Sequence, residues 1–330
     1  MSSLRVVACG GGHGLAASLA ALRHLTERLT AVVTVADDGG SSGRLREELG
    51  VLPPGDLRMA LAALCDDTEW GRTWRDVLQH RFASDGPLHD HAVGNLLIVA
   101  LWQRLGDAVE GLDLVARLLG ARGRVLPMSS VPLAIEADVA LGHRRGGGEG
   151  AGAPAPPGPR VVLVRGQAQV ATTSGRVLEV RLDPAEPPAR PEAVAAVREA
   201  DWVVLGPGSW FTSVIPHLLV PELRAALVGT AARRALVLNL SAPRGESRGL
   251  TPAQHVRALA AHAPTMPLDA VLADPRTLAG GEDGEQRADL EAAVRDAGGQ
   301  LLLRRLAAGR DPVHDPLRLA TAFRDVFDVA

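Results

Sequence analysis

Four of the five residues from Gly10 to Gly14 are glycines, and they follow the apolar run Arg5–Ala8 just where a helix can begin. A glycine turn between a strand and a helix lets backbone amides approach an anion, and the helix N-terminus adds the positive end of its dipole. Phosphate is the chemistry that Gly11, Gly12, His13 and Gly14 suit. The loop departs from the G-x-G-x-x-G dinucleotide fingerprint, because Leu15 stands where the third glycine is required. A second apolar run, Ala31–Ala36, leads into Asp37 and Asp38. An acidic residue about 20 positions beyond the first glycines commonly accepts hydrogen bonds from a ribose. Neighbouring strand residues face opposite sides, so one carboxylate is expected on the ligand and the other on a loop, or the pair shares a divalent cation. A helix cap beside a solvated charge is the plainer alternative.

Further polar groups follow. Gly39, Gly40 and Gly43 with Ser41 and Ser42 can curl into an amide nest with added hydroxyl donors. Arg44 and Arg46 come next, although Arg44 and Glu48 are spaced to pair along a helix. Asp56 is most simply an N-cap, and Arg58 either pairs with it or reaches into a cleft. His89 and His91 form His-x-His without a third ligand nearby, a weak zinc signal. Asn95, in the first turn of an apolar helix, needs partners that a base or a sugar hydroxyl would supply. In "LGPGSWFTSVIPHL", Gly206 and Gly208 permit another turn after a strand, and Ser209, Thr212 and Ser213 offer more hydroxyls than a cap requires. Asp315 is placed to cap the last helix. There is no G-x-S-x-G elbow, no H-E-x-x-H and no base couple beside a nucleophile, so the loops point to holding a nucleotide-like ligand rather than to a defined reaction.

The elements that must position these groups alternate short apolar runs with longer helical patterns, which reads as βαβ units and a parallel sheet. Helices are expected near 15–25, 56–65, 73–81, 94–105, 112–119, 191–200, 252–262 and 316–327, with one starting near 221. Strands are expected at "DWVVLG", "ALVLNL", "LDAVLAD" and "QLLLRRL". Residues 129–182 read as a meander of short β-branched strands, interrupted by a Gly/Pro-rich loop at 143–160 that is too poor in apolar residues to order itself. The expectation is a single Rossmann-like α/β domain over 1–330, a mostly parallel sheet flanked by helices, with that small β-rich insert.

Composition narrows the function. The 330 residues are 46% hydrophobic, ample for a core, and Cys9 and Cys65 are too few for a disulfide framework. All 35 basic residues are arginine and tyrosine is absent. That excludes the P-loop lysine, the Schiff-base lysine and the Tyr acid of short-chain reductases. Net charge is −3 and aromatics are 3%, so nucleic acid is not an expected partner. No run approaches a membrane span and no leader pattern opens the chain, so a cytoplasmic protein without membrane insertion is expected. A homo-oligomer and further protein partners stay open.

"GGGHG", "TVADDGGSSGRLR", "PPGDLRMAL", Gly94–Asn95, "RGRVLP" and "LGPGSWFTSVIPHLLVP" together resemble the bacterial gluconeogenesis factor (YvcK-like) family, related in fold to 2-phospho-L-lactate transferase, a Rossmann-like enzyme that uses a divalent metal. The resemblance spans the chain apart from the Gly/Pro-rich insert. It implies a regulatory binder of a UDP-activated sugar such as UDP-N-acetylglucosamine, required for cell shape and wall synthesis under gluconeogenic growth. By motif, Gly11 to Gly14 and Ser209 to Ser213 would serve the diphosphate, and Asp37, Asp38 and Asn95 the ribose, base or sugar. The alternative is a metal-dependent transferase acting on a phosphorylated small molecule, with Asp37 or Asp38 holding Mg²⁺. This chain departs from the family pattern at His13 and Met59, where threonine and asparagine are more usual, and in "HDHAVGN", where "GHSFGN" is usual.

Overall fold

In the first apolar run, Val6, Val7, Ala8 and Cys9 are all at most 2% exposed, which is the signature of a strand covered on both faces. A computed structural model describes residues 2–141, 160–240, 245–247, 249–278, 283–309 and 311–329. In chain order, the first half contains β1 (Ser2–Gly10), α1 (Gly12–Leu22), β2 (Thr26–Val33), α2 (Gly40–Leu49), α3 (Gly55–Leu64), α4 (Glu69–Gln79), α5 (Val93–Leu105), α6 (Ala108–Leu119) and β3 (Arg124–Pro127). Then come β4 (Ala134–Leu141), β5 (Arg160–Arg165), α7 (Gln167–Thr172) and β6 (Arg176–Asp183). The remainder is α8 (Pro191–Glu199), β7 (Trp202–Leu205), α9 (Pro216–Leu219), α10 (Pro221–Gly229), β8 (Arg233–Val237), α11 (Pro252–His262), β9 (Ala270–Ala273), α12 (Asp283–Asp296), β10 (Gln300–Leu303) and α13 (Pro316–Val329).

Seven strands form one parallel sheet in the order β10-β9-β8-β7-β1-β2-β3, with helices packed on it. Strands β5, β4 and β6 make a separate antiparallel sheet, which the chain builds between β3 and β7. The α/β expectation therefore holds, with the small β-rich unit in addition. Strand order reverses between β1 and β7, and in an open α/β sheet a ligand crevice lies beyond the carboxyl ends of the strands at such a switch point. The Gly/Pro-rich loop expected at 143–160 lies outside the described residues, except for Arg160 at the start of β5.

Several boundaries differ from expectation for identifiable reasons. Helix α1 begins at Gly12 rather than near Leu15: Gly11 is extended, and Gly12, at φ +56, makes the sharp turn out of β1 that glycine takes without steric cost. Strand β2 ends at Val33, four residues before Asp37, because beyond it the backbone bonds leave the ladder: Thr34 N–H donates to the Gly10 carbonyl and Leu133 N–H to that of Val35. Helices α7, α9 and α12 have no counterpart in the sequence reading. Among them α7 and α9 have six and four residues, too short for apolar periodicity to register.

Candidate functional site

Two glycine loops meet at the switch point. The Gly206 N–H donates to the Cys9 carbonyl at 3.2 Å, and the Ser18 hydroxyl of α1 donates to the Gly206 carbonyl at 2.8 Å. Gly14 lies directly against the Pro207 carbonyl, where any Cβ would collide with backbone. Asn239, just past β8, holds the other side of the loop twice: its Oδ1 accepts from Gly208 N–H at 3.1 Å and its Nδ2 donates to the Gly208 carbonyl at 2.8 Å. The first backbone bond inside α1 runs from Leu15 N–H to Gly11, so the amides of Gly12, His13 and Gly14 precede the helix ladder. His13 and Ser209 are exposed at this rim, whereas Ser213 is buried against Gly208.

The second wall is acidic. Asp37 is half-buried; its Oδ1 accepts from Gly39 N–H at 3.0 Å, and its Oδ2 lies beside Gly55. Asp56 is not the expected N-cap, since α3 already begins at Gly55 and no side chain caps it. Its carboxylate reaches across to Gly11 and accepts from the Gly12 N–H. Burial, and then the charge of Asp37, push the Asp56 carboxyl up to about 7, against the pull of the Gly12 N–H and of Arg58. Asp56 therefore stands at the N-terminus of α1, with Asp37, beside Gly55, near enough to act on its charge. Asp38 points elsewhere: its Oδ1 accepts from Ala168 N–H at 3.0 Å, at the start of α7.

Around these acids the serines, arginines and amide are largely committed to one another. Ser41 Oγ is 3.0 Å from His91 Nδ1 and accepts from Asn95 Nδ2 at 3.0 Å. That explains the buried Ser41, His91 and Asn95 without zinc, and burial together with Arg44 lowers the His91 pKa. Asn95 Oδ1 is buried with no partner, so the amide keeps one acceptor for a donor group. Ser42 is buried with its Oγ against Gly55. Arg44 does not pair with Glu48; it donates to the carbonyls of Pro87 at 3.1 Å and His89 at 2.7 Å. Arg46 donates to the Leu133 carbonyl at 2.6 Å. Arg58 is buried, bonded to Gln79 Oε1 through Nη1, and pulled down to about 10 by burial and by Arg81. Among the described residues no group of three or more His, Cys, Asp or Glu is arranged to hold a metal. Arg44, Arg46, Asp38 and His89 line an adjoining cavity of about 650 Å³.

Sequence reasoning brought Gly11, Gly12, His13, Gly14, Asp37 and Gly208 to one rim, and the structure assembles them there. Thr212 is different: it is fully buried beside Glu246, away from the rim. Asn239 and Glu246 were missed as loop-holding residues. A polar residue closing the apolar run "ALVLNL" at the carboxyl end of a strand was the available signal for Asn239. For Glu246 there was none, because its partner lies 35 residues away.

The 2-phospho-L-lactate transferase CofD family matches residues 6–299 of this chain. A Mycobacterium tuberculosis protein carrying the gluconeogenesis factor name is 50% identical over 97% of this chain and 90% of its own length. The Gluconeogenesis factor of Bacillus subtilis is 35% identical over 78% of this chain and 74% of its own. The crystal structure of a UPF0052-family protein from Bacillus halodurans superposes with a TM-score of 0.82 at 30% identity, over 98% of this chain and 99% of that one.

Proposed function

The chain belongs to the CofD family, among its gluconeogenesis factor members, and from that premise we propose that it is a cytoplasmic regulatory protein that binds a nucleotide sugar of the UDP-N-acetylglucosamine type. On this reading it serves cell shape and wall synthesis during gluconeogenic growth. The supporting observation is the apposition of Gly14 and Pro207, which brings two backbone loops together beside the open amides of α1. The diphosphate would lie on the amides of His13 and Gly14 and the hydroxyls of Ser209 and Ser213, since the Gly12 N–H is taken by Asp56. Titration calorimetry of the purified chain with UDP-N-acetylglucosamine tests this. Saturable heat is expected, together with a stabilisation of about 2.7 kcal/mol at a hundredfold excess over Kd. No heat and no thermal shift at millimolar ligand removes the reading.

A second reading is favoured by one observation, the proximity of Asp37 to Asp56. Two carboxylates beside a phosphate site are the donor set that suits Mg²⁺, which commonly takes one or two carboxylates and completes its shell with substrate oxygens and water. When bound there the ion would neutralise charge on a transferring phosphoryl group. Asp37 and Asp56 would hold it, while Arg58 stays near enough to balance the remaining charge. A metal-dependent transferase acting on a phosphorylated small molecule is the corresponding activity. Mg²⁺ is then expected to tighten ligand binding in the native chain and to have no effect in Asp37→Asn. Ligand affinity that is equal with Mg²⁺ and with chelator excludes this version and leaves the first intact.

A further inference from the structure

The turn that follows Ser209 directs its Phe211 amide inward rather than to the rim. Residues Trp210–Val214 form one π-helical turn, and Glu246 faces its start from within the molecule. Glu246 is 4% exposed, and its Oε1 accepts from Phe211 N–H at 3.0 Å. The N–H groups of Trp210 and Thr212 are near enough to favour its charge, while its Oε2 is buried without a hydrogen-bond partner. A buried carboxylate that accepts from Phe211 satisfies an N–H that would otherwise be orphaned in the core. The segment bearing it is itself fixed, since Gly245, at φ +62, is pressed so closely on the Ala171 carbonyl of α7 that no side chain fits there.

We propose that Glu246 is the positioning residue of the ligand loop: an internal carboxylate holds the Phe211 amide of the Trp210–Thr212 turn and thereby sets where Ser209 stands at the rim and Ser213 behind it. The ligand anion is consequently gripped by α1 and by the hydroxyls of Ser209 and Ser213, not by the Phe211 amide. Asn239 fixes Gly208 from one side and Glu246 fixes Phe211 from the other, so the segment between them has two anchors. This rests on the reading of Gly206–Ser213 as a ligand loop.

Three variants of the full chain separate geometry from charge. Glu246→Gln keeps an oxygen at the same reach, Glu246→Asp keeps the charge but withdraws it by one methylene, and Glu246→Ala removes both. Amide hydrogen exchange over residues 206–214 and calorimetric affinity for UDP-N-acetylglucosamine are measured for each, with Tm alongside. Expected are at least tenfold faster exchange at 210–214 and at least tenfold weaker binding in Glu246→Asp and Glu246→Ala. Glu246→Gln should stay within threefold of the native chain on both counts. If Glu246→Ala does not fold, the contrast between Asp and Gln decides. Native-like exchange in Glu246→Asp, or a Gln variant as impaired as the Asp variant, overturns the proposal. Absence of binding by the native chain would remove the nucleotide-sugar reading instead, and the exchange comparison would still settle the role of Glu246.

Discussion

Three aspartates near the pocket have the same chemistry and different commitments. Asp38 is tied to α7 through Ala168 N–H, Asp56 to α1 through Gly12 N–H, and Asp37 to its own loop through Gly39 N–H. Nothing in an Asp–Asp pair read along the chain distinguishes them; the direction of each side chain is decided by which helix start comes within 3 Å. Asp90 makes a related point about backbone. It sits at φ +59, the left-handed region that costs most L-residues about 1–2 kcal/mol. Its exposed ion pair with Arg81 at 3.3 Å contributes little. Asp90→Gly should therefore raise stability by about 0.5 kcal/mol after the added chain entropy of glycine is subtracted, readable as a higher urea midpoint with an unchanged slope. A lower midpoint would mean that the ion pair outweighs the backbone strain.

At the scale of elements, the cleft depends on how closely α1 approaches the loop after β7. Gly14→Ala forces backbone apart at that contact, since the obstacle is the Pro207 carbonyl rather than a flexible side chain. We expect a loss of about 1–3 kcal/mol, the usual range for overpacking, together with weakened nucleotide-sugar binding. Thermal unfolding and calorimetry on one preparation check both, and an unchanged Tm would show that the loops part without cost. The helix starts at Pro191, Pro252 and Pro316 were legible because proline at the first position is a local signal, reinforced at two of them by a cap: Thr251 closes a capping box with Gln254, and Asp315 accepts from Leu317 and Arg318, whereas Arg190 caps nothing. The end of β2 was not legible, because the residues after it are as apolar as those within it and only their partners differ.

For the molecule as a whole, three buried histidines weaken the fold in acid. His217 lies between the carbonyls of Val32 at 3.0 Å and Val214 at 3.3 Å, and burial pulls its pKa down to about 4. His255 and His314 are likewise held at about 4 by burial. Each is neutral when folded and binds a proton near 6.5 when unfolded. Their contribution is therefore full above pH 6.5 and is lost as pH falls through about 4. For His217 alone the linkage is on the order of 3 kcal/mol. The carboxyls of Asp56 and Glu246, held up at about 7 by burial, act in the opposite sense and gain stability as pH falls, so the histidine contribution is read as a difference. Urea unfolding at pH 7, 5.5 and 4.5 should show the native chain losing about 2 kcal/mol more than His217→Gln over that range. An equal pH dependence in the two would mean that the His217 ring is not neutral and buried in the folded state. No helix among the described residues is long and apolar enough to cross a membrane.

The alternation of apolar runs with helical patterns by itself determined a parallel α/β sheet, and the glycines after two of its strands by themselves determined where backbone could approach an anion. Both are local properties, written in periodicity and in the absence of side chains. The tertiary structure alone decided that Gly14 would meet Pro207, that Asp56 would face Asp37 instead of capping its own helix, and that Thr212 would turn inward to Glu246. Each of those depends on strand order. β1 and β7 are adjacent in space but nearly 200 residues apart in sequence, and hydrogen bonds across such a separation leave no spacing for a sequence to display.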